Sequence, residues 1–304
     1  MKLKYQILWI ENEEDWVQSI EDQIQEYLEE LGFIYNMTLI GKEENNVAYN
    51  DYDLILMDLN LANQTNGAEL ISKIRDLGVY TNVVFYSASG TEVLRKQGLE
   101  YQLDGVYYSG RTPDALFVKK VKDVINATIK KVQDLDNIRG LVMAEVSELD
   151  GKMVEIINKY YVENATEELK NLFHKHITKK QEEKIKKALE GCNQPNKSCT
   201  HIWKNKEIKE IMPDLEASQL AKAIMYIIPE HLYTPKRQNF FEDYKNEIFE
   251  IRNELAHCIS IKENGKEILK TRKGDKTFSE DDIKTIRKNI LKYSSLFNRL
   301  LGEQ

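Results

Sequence analysis

Cysteine is scarce in this chain, and long apolar runs are missing altogether. The 304 residues hold three cysteines, Cys192, Cys199 and Cys258. So few thiols, odd in number and without a secretory signal, argue against a disulfide framework and for a reducing, cytoplasmic setting. Cys192 and Cys199 lie close to His201, but the gap of six residues between the cysteines fits no common zinc knuckle, and no fourth ligand is evident. No run of about 18 apolar residues exists, so no membrane-spanning segment is expected. Met1 to Tyr5 leads into a short apolar run and then acids, without the longer apolar stretch and small-residue cleavage site of a signal peptide. P-loop, Rossmann glycine fingerprint and zinc-protease motifs are absent as well, which removes the usual sequence grounds for those enzyme classes. Internal repeats and low-complexity tracts are also missing.

What is present is a globular composition with a heavily charged surface, 41% apolar and 31% charged residues. The length suits two domains, each long enough for its own core. The net charge of -7 is unevenly spread. Residues 1–125 hold 11 Lys/Arg against 21 Asp/Glu, whereas the remainder holds 32 against 29. Phosphate repels the acidic first part, so only the second is electrostatically open to nucleic acid.

The first part alternates strand and helix signals. Tyr5–Ile10, Phe33–Ile40, Leu54–Leu59, Asn82–Ser87 and Gly105–Ser109 read as strands, with Tyr5–Ile10 and Leu54–Leu59 the short apolar runs typical of buried parallel strands. Glu14–Leu31, Gly67–Leu77 and Thr91–Gln97 have helical spacing, and Thr112-Pro113-Asp114 starts a further helix. This alternation predicts an α/β domain over residues 1–126, a five-stranded parallel sheet wound on both faces. Helical spacing continues through a connector at 127–160, with a kink expected near Gly140. An all-helical domain is expected over 161–304, with helices near 165–190, 216–228, 237–258 and 279–301. Residues 191–213 read as irregular, Lys262–Thr277 as a turn or small hairpin, and Ser279 with Asp282 as a capping box.

In open parallel sheets, ligands bind beyond the carboxyl ends of the strands. Those ends carry Glu11-Asn12-Glu13, Asp58, Ser87-Ala88 and Ser109. With Ile7–Glu13 and Leu54–Leu61, the set resembles the receiver domain of two-component response regulators, over about residues 4–126. The resemblance implies a flavodoxin-like fold and Asp58 as phospho-acceptor, with Ser87 hydrogen-bonding the phosphoryl group. It also implies Mg²⁺ on the acidic pair and Asp58, and a histidine kinase as partner. Two departures weaken that chemistry. Asn12 replaces an acid, which leaves Glu11 and Asp58 as the strong oxygen ligands for a weakly held Mg²⁺. Ser109 stands where the family keeps a lysine, and Arg111 follows two residues later. A degenerate receiver, kept for docking or dimerisation, is the favoured reading over a phosphorylation switch.

In the second part, Arg252-Asn253-Glu254-Leu255-Ala256-His257 closes an amphipathic helix. The segment resembles the signature of HEPN domains, all-helical folds that often act as metal-independent ribonucleases. Arg252 and His257 lie about 140° apart on a regular helix, so a homodimer that joins two sets across a cleft is expected. The 2′-hydroxyl of single-stranded RNA would be the nucleophile, His257 the acid/base and Arg252 the cation for the phosphorane. Asn253 would orient the histidine or the phosphate. The competing reading makes Arg252 part of a solvated face and His257 a residue interacting with the helix dipole. His174-Lys175-His176 with Lys179, Lys180, Lys184, Lys186 and Lys187 forms a basic stretch, interrupted by Glu182 and Glu183. Two functions stand: a ribonuclease needing no cofactor, regulated or assembled by a receiver and used in stress response or phage defence, or a non-catalytic signalling adaptor.

Overall fold

The computed structural model describes residues 3–44, 47–132, 135–179, 207–233, 236–263, 266–274 and 276–302. The chain forms two compact units, Lys2–Ile138 and Arg139–Gln304. No helix among the described residues is long and apolar enough to cross a membrane.

In the first unit the apolar runs become β1 (Lys4–Ile10), β2 (Ile34–Ile40), β3 (Leu54–Asp58), β4 (Asn82–Ser87) and β5 (Val106–Gly110). All pair in parallel, in the order β2-β1-β3-β4-β5. Period-two alternation then sends successive residues to opposite faces. Ile7, Trp9, Val84 and Tyr86 enter one core cluster, while Leu8, Ile10, Val83 and Phe85 enter the other. The first cluster is covered by α1 (Glu14–Glu30), through Val17, Ile20 and Ile24, and by the helix Asp114–Val132, through Phe117 and Val121. The second is covered by α2 (Gly67–Asp76), through Leu70, Ile71 and Ile74, and by α3 (Thr91–Glu100), through Leu94. The helix Asp114–Val132 is α4. The doubly wound sheet is therefore present, with β1 and β3 meeting where the winding reverses.

α5 (Leu135–Ile157) spans the boundary between the two units and is helical on both sides of Gly140; the chain between α4 and α5 lies outside the described residues. A π-helical turn (Asn158–Glu163), α6 (Glu167–Phe173) and a second π-helical turn (His174–Thr178) follow. Next come the short α7 (Ile208–Ile211) and α8 (Ala217–Met225). The irregular stretch expected up to 213 is thus helical from Ile208. α9 (Phe240–Tyr244) passes through a π-turn (Lys245–Phe249) into α10 (Glu250–Ala256).

The all-helical expectation fails directly after α10. β6 (Cys258–Glu263), β7 (Lys266–Thr271) and β8 (Thr277–Phe278) form a three-stranded antiparallel sheet. Ile259, Ile261 and Ile268 are β-branched residues that favour extended chain. The last helix, α11 (Glu280–Leu301), starts with the expected box: Asp282 N–H donates to Ser279 Oγ, and Ser279 N–H to Asp282 Oδ2 at 2.7 Å. Its buried face meets α9, where Tyr244 lies edge-on to Tyr293 at 4.7 Å. The basic stretch beyond Lys179, and Cys192, Cys199 and His201 with it, lie outside the described residues.

Two glycines on helices have opposite surroundings. A Cβ on Gly140 would meet nothing within 4 Å, whereas on Gly67 it would lie 2.0 Å from the Asp58 carbonyl oxygen. Gly140→Ala should therefore raise stability by about 0.5–1 kcal/mol through lower unfolded-state entropy. Gly67→Ala should lower it by about 1–3 kcal/mol, because backbone must move. Urea titration of both variants checks the opposite signs.

Candidate functional site

The reversal between β1 and β3 places Glu11, one residue past β1, next to Asp58 at the end of β3. Glu11 is wholly buried and Asp58 is 5% exposed. Glu11 is held at both oxygens: Oε1 accepts Glu13 N–H at 2.9 Å, and Oε2 accepts the Tyr86 hydroxyl at 3.0 Å. The Tyr86 oxygen accepts in turn from Trp9 Nε1–H at 2.8 Å. Burial, with the charges of Glu11 and Asp58 behind it, raises the Tyr86 hydroxyl well above its ordinary pKa, so it stays a donor to Glu11.

Asp58 Oδ2 accepts the Asn60 N–H at 2.9 Å. Burial first, and the neighbouring Glu11 charge second, push its carboxyl up to about 7. The backbone here is tightly fixed: Gly67 N–H donates to the Leu59 carbonyl, and Asn66 caps α2 through Ala68 N–H. At the ends of the next two strands, Ser87 Oγ accepts Ser89 N–H, and Ser109 Oγ donates to the Gly110 carbonyl. Both serines are buried, and the Ser109 hydroxyl is used on its own backbone.

Positive charge comes from Arg111. Its N–H donates to the Ser87 carbonyl, which carries it past the end of β5 and over the pocket. The guanidinium makes a two-pronged pair with Glu13, at 2.9 and 2.6 Å, and lies 3.8 Å from Glu11 Oε2. It also stacks 4.0 Å above the Trp16 ring. Burial opposes its charge, but Glu13 and Glu11 raise its pKa on balance. Glu13 is lowered in return by the Arg111 hydrogen bond.

The residues expected to hold Mg²⁺ are Glu11, Asn12 and Asp58. Asn12 is exposed and can offer only a neutral amide, and both Glu11 oxygens have protein donors. Among the described residues no group of three or more His, Cys, Asp or Glu is placed to hold a metal. With a guanidinium already beside Glu11, this arrangement fits a divalent ion poorly.

Arg252, Asn253 and His257 come only partly together. Arg252 Nη1 pairs with Asp150 Oδ2 of α5 at 3.5 Å, and its Nη2 lies 3.5 Å from Asn253 Oδ1. His257 caps the end of α10 at φ -109°, ψ 8°, with its side chain exposed, and no hydrogen bond or ion pair joins it to Arg252 among the described residues. Asp150 is raised by burial, although the Arg252 charge works against that. Beside this pair, the Tyr244 hydroxyl is buried without a partner among the described residues.

Sequence reading undervalued Arg111 and missed Tyr86, Trp16 and Asp150. Arg111 is apparent in the sequence as the first cation past β5, but its pairing with Glu13 is not. Asp150 carries no sequence signal, because only helix packing brings it to Arg252.

Residues 7–108 match the response regulator receiver domain, and this stretch of the first unit is such a domain. Among solved structures, the chain is similar to the receiver domain of the Francisella response regulator 1452, with 19% identity, 42% of this chain and 99% of that one covered, and a TM-score of 0.32. It is also similar to a CheY-like response regulator receiver domain protein from Methanospirillum hungatei JF-1, with 18% identity, 42% and 98% covered, and a TM-score of 0.32. A search of curated proteins finds no match.

The raised carboxyl of Asp58 sets a pH dependence. The folded chain binds this proton more tightly than the unfolded one, so the contribution is fully present below the ordinary carboxylate pKa and is lost as pH rises through about 7. Above that, a buried carboxylate costs on the order of a few kcal/mol. Asp58→Asn should therefore raise Tm at pH 8 and change it little at pH 5. Equal effects at the two pH values in thermal unfolding would refute the assignment.

Proposed function

We propose that this protein is a signalling protein in which a degenerate receiver domain docks or assembles, and thereby controls, the second unit. The observation that carries this reading is the Arg111 guanidinium, already paired with Glu13 and 3.8 Å from Glu11. The acidic end of the sheet is balanced by the chain's own cation. That weakens the pull on Mg²⁺, and it ties up the cation that would have to meet a phosphoryl group on Asp58. The reading predicts slow, low-yield phosphorylation. After acetyl phosphate and Mg²⁺, intact-mass spectrometry should show mainly unmodified chain. A stoichiometric adduct of one phosphate, absent in Asp58→Ala, would restore the phosphorylation switch and a histidine kinase as its donor.

For the second unit we propose a metal-independent endoribonuclease that acts as a homodimer on single-stranded RNA. The supporting observation is that Asn253 and His257 are exposed at the end of α10, with Arg252 Nη2 3.5 Å from Asn253 Oδ1. His257 would take the proton of the 2′-hydroxyl as that oxygen attacks phosphorus. The bond from phosphorus to the 5′-oxygen would break, with the leaving oxygen taking a proton from solvent. Arg252, released from Asp150, would meet the negative charge on the non-bridging phosphoryl oxygens. Since Arg252 and His257 do not touch within one chain, a second copy would complete the site. Cleavage should persist in EDTA and leave 2′,3′-cyclic phosphate ends. His257→Ala should lose about 10²- to 10⁴-fold in rate. Arg252→Ala should lose comparably yet stay folded, because a part-exposed ion pair contributes only about 0–1 kcal/mol. If His257→Ala cleaves as fast as the parent chain, or the parent cleaves nothing, the adaptor reading replaces this one.

A further inference from the structure

The second unit leaves the helical pattern directly after His257, and the inserted sheet is basic. Residues 262–276 hold six Lys/Arg against three Asp/Glu, in a chain whose net charge is -7. The register decides which end of the sheet meets the Arg252–His257 segment. Cys258 pairs with Thr271 and Glu263 with Lys266, so the turn between β7 and β8 returns to the start of β6. There, Arg272 N–H donates to the His257 carbonyl at 3.2 Å. The backbone of this turn is thus held beside the backbone of His257.

The turn is a built one. Thr271 N–H donates to the Lys276 carbonyl at 2.9 Å, and Gly274, at φ +74°, donates to the Thr271 carbonyl at 2.8 Å. Its base is anchored by Arg139, which donates to the Cys258 carbonyl at 2.8 Å, and by the buried Leu269 and Phe278. Arg272, Lys273 and Lys276 are exposed. Lys276 is paired with Glu254, whereas no ion pair forms to Arg272 or Lys273 among the described residues. A turn that exposes Arg272 and Lys273 next to a histidine suits a chain of phosphates. A membrane surface fits less well, since the turn Thr271–Lys276 has no apolar side chain to insert.

We propose that the β7–β8 turn is a nucleic-acid contact, in which Arg272 and Lys273 hold the phosphate backbone of single-stranded RNA so that the strand passes His257. This rests on the nuclease reading, and its test separates the two. The full-length chain carrying His257→Ala, which keeps the RNA intact, is titrated with a fluorescent oligouridylate at several salt concentrations. Adding Arg272→Ser and Lys273→Ser should weaken binding about 10-fold and make the log–log salt slope shallower by about 1.4, the value for two lost contacts to a single strand. Circular dichroism confirms folding, and Lys273→Glu alone, expected to weaken binding at least as much as Lys273→Ser, guards against a folding artefact. Unchanged affinity and slope in folded variants overturn the proposal while leaving the nuclease reading intact. Loss of binding in the double variant, in a chain whose wild type cleaves nothing, supports the proposal and removes the nuclease reading. Poly-glutamate bound as tightly as RNA, and lost in the same variants, would assign the turn to an acidic protein and overturn the proposal.

Discussion

The guanidinium of Arg111 lies where four groups need it: over the Trp16 ring, across both oxygens of Glu13, and beside Glu11 near the buried Asp58. The acidic end of a parallel sheet concentrates negative charge in a place from which water is largely excluded. Such charge must be paired, protonated or given to a bound ion. Here Arg111 pairs with Glu13 beside Glu11, and burial pushes the Asp58 carboxyl up to about 7. The Tyr86 hydroxyl completes the arrangement by fixing Glu11 from the core side, with Trp9 behind it.

The fold places these groups with little freedom. Parallel pairing of β1 with β3 puts Glu11 and Asp58 side by side, and the close approach of Gly67 to the Asp58 carbonyl fixes the loop that follows. In the second unit, packing of α5 against α10 gives Arg252 a carboxylate partner, while His257 remains in solvent where the helix gives way to a sheet. The two units thus treat arginine in related ways, each paired with a carboxylate.

Much of the first unit was legible in the sequence, because a sheet buried on both faces leaves apolar runs such as Leu54–Met57, and the acids that end those runs stand out. The charge balance was not legible, since whether Arg111 turns back over the pocket depends on backbone pairing to Ser87. In the second unit the helices announced themselves by period. The sheet at Cys258–Phe278 did not, because only a short turn or hairpin could be inferred from Gly265 and Gly274. The antiparallel register that brings the Arg272 backbone to His257 is set by the hairpin pairing from Glu263 with Lys266 to Cys258 with Thr271, which the glycines alone do not specify. Asp150 shows the same limit: its position in the helical pattern of α5 gives no hint of Arg252.

The claim on which the account depends is that Arg111 takes the place of a divalent cation in the receiver pocket. Calorimetric titration of Mg²⁺ into the full chain and into Arg111→Gln tests it most directly. The parent should bind weakly, and removal of the guanidinium should tighten binding by about tenfold, equivalent to about 1.4 kcal/mol. Tight binding by the parent, or equal or weaker binding by Arg111→Gln, would contradict it.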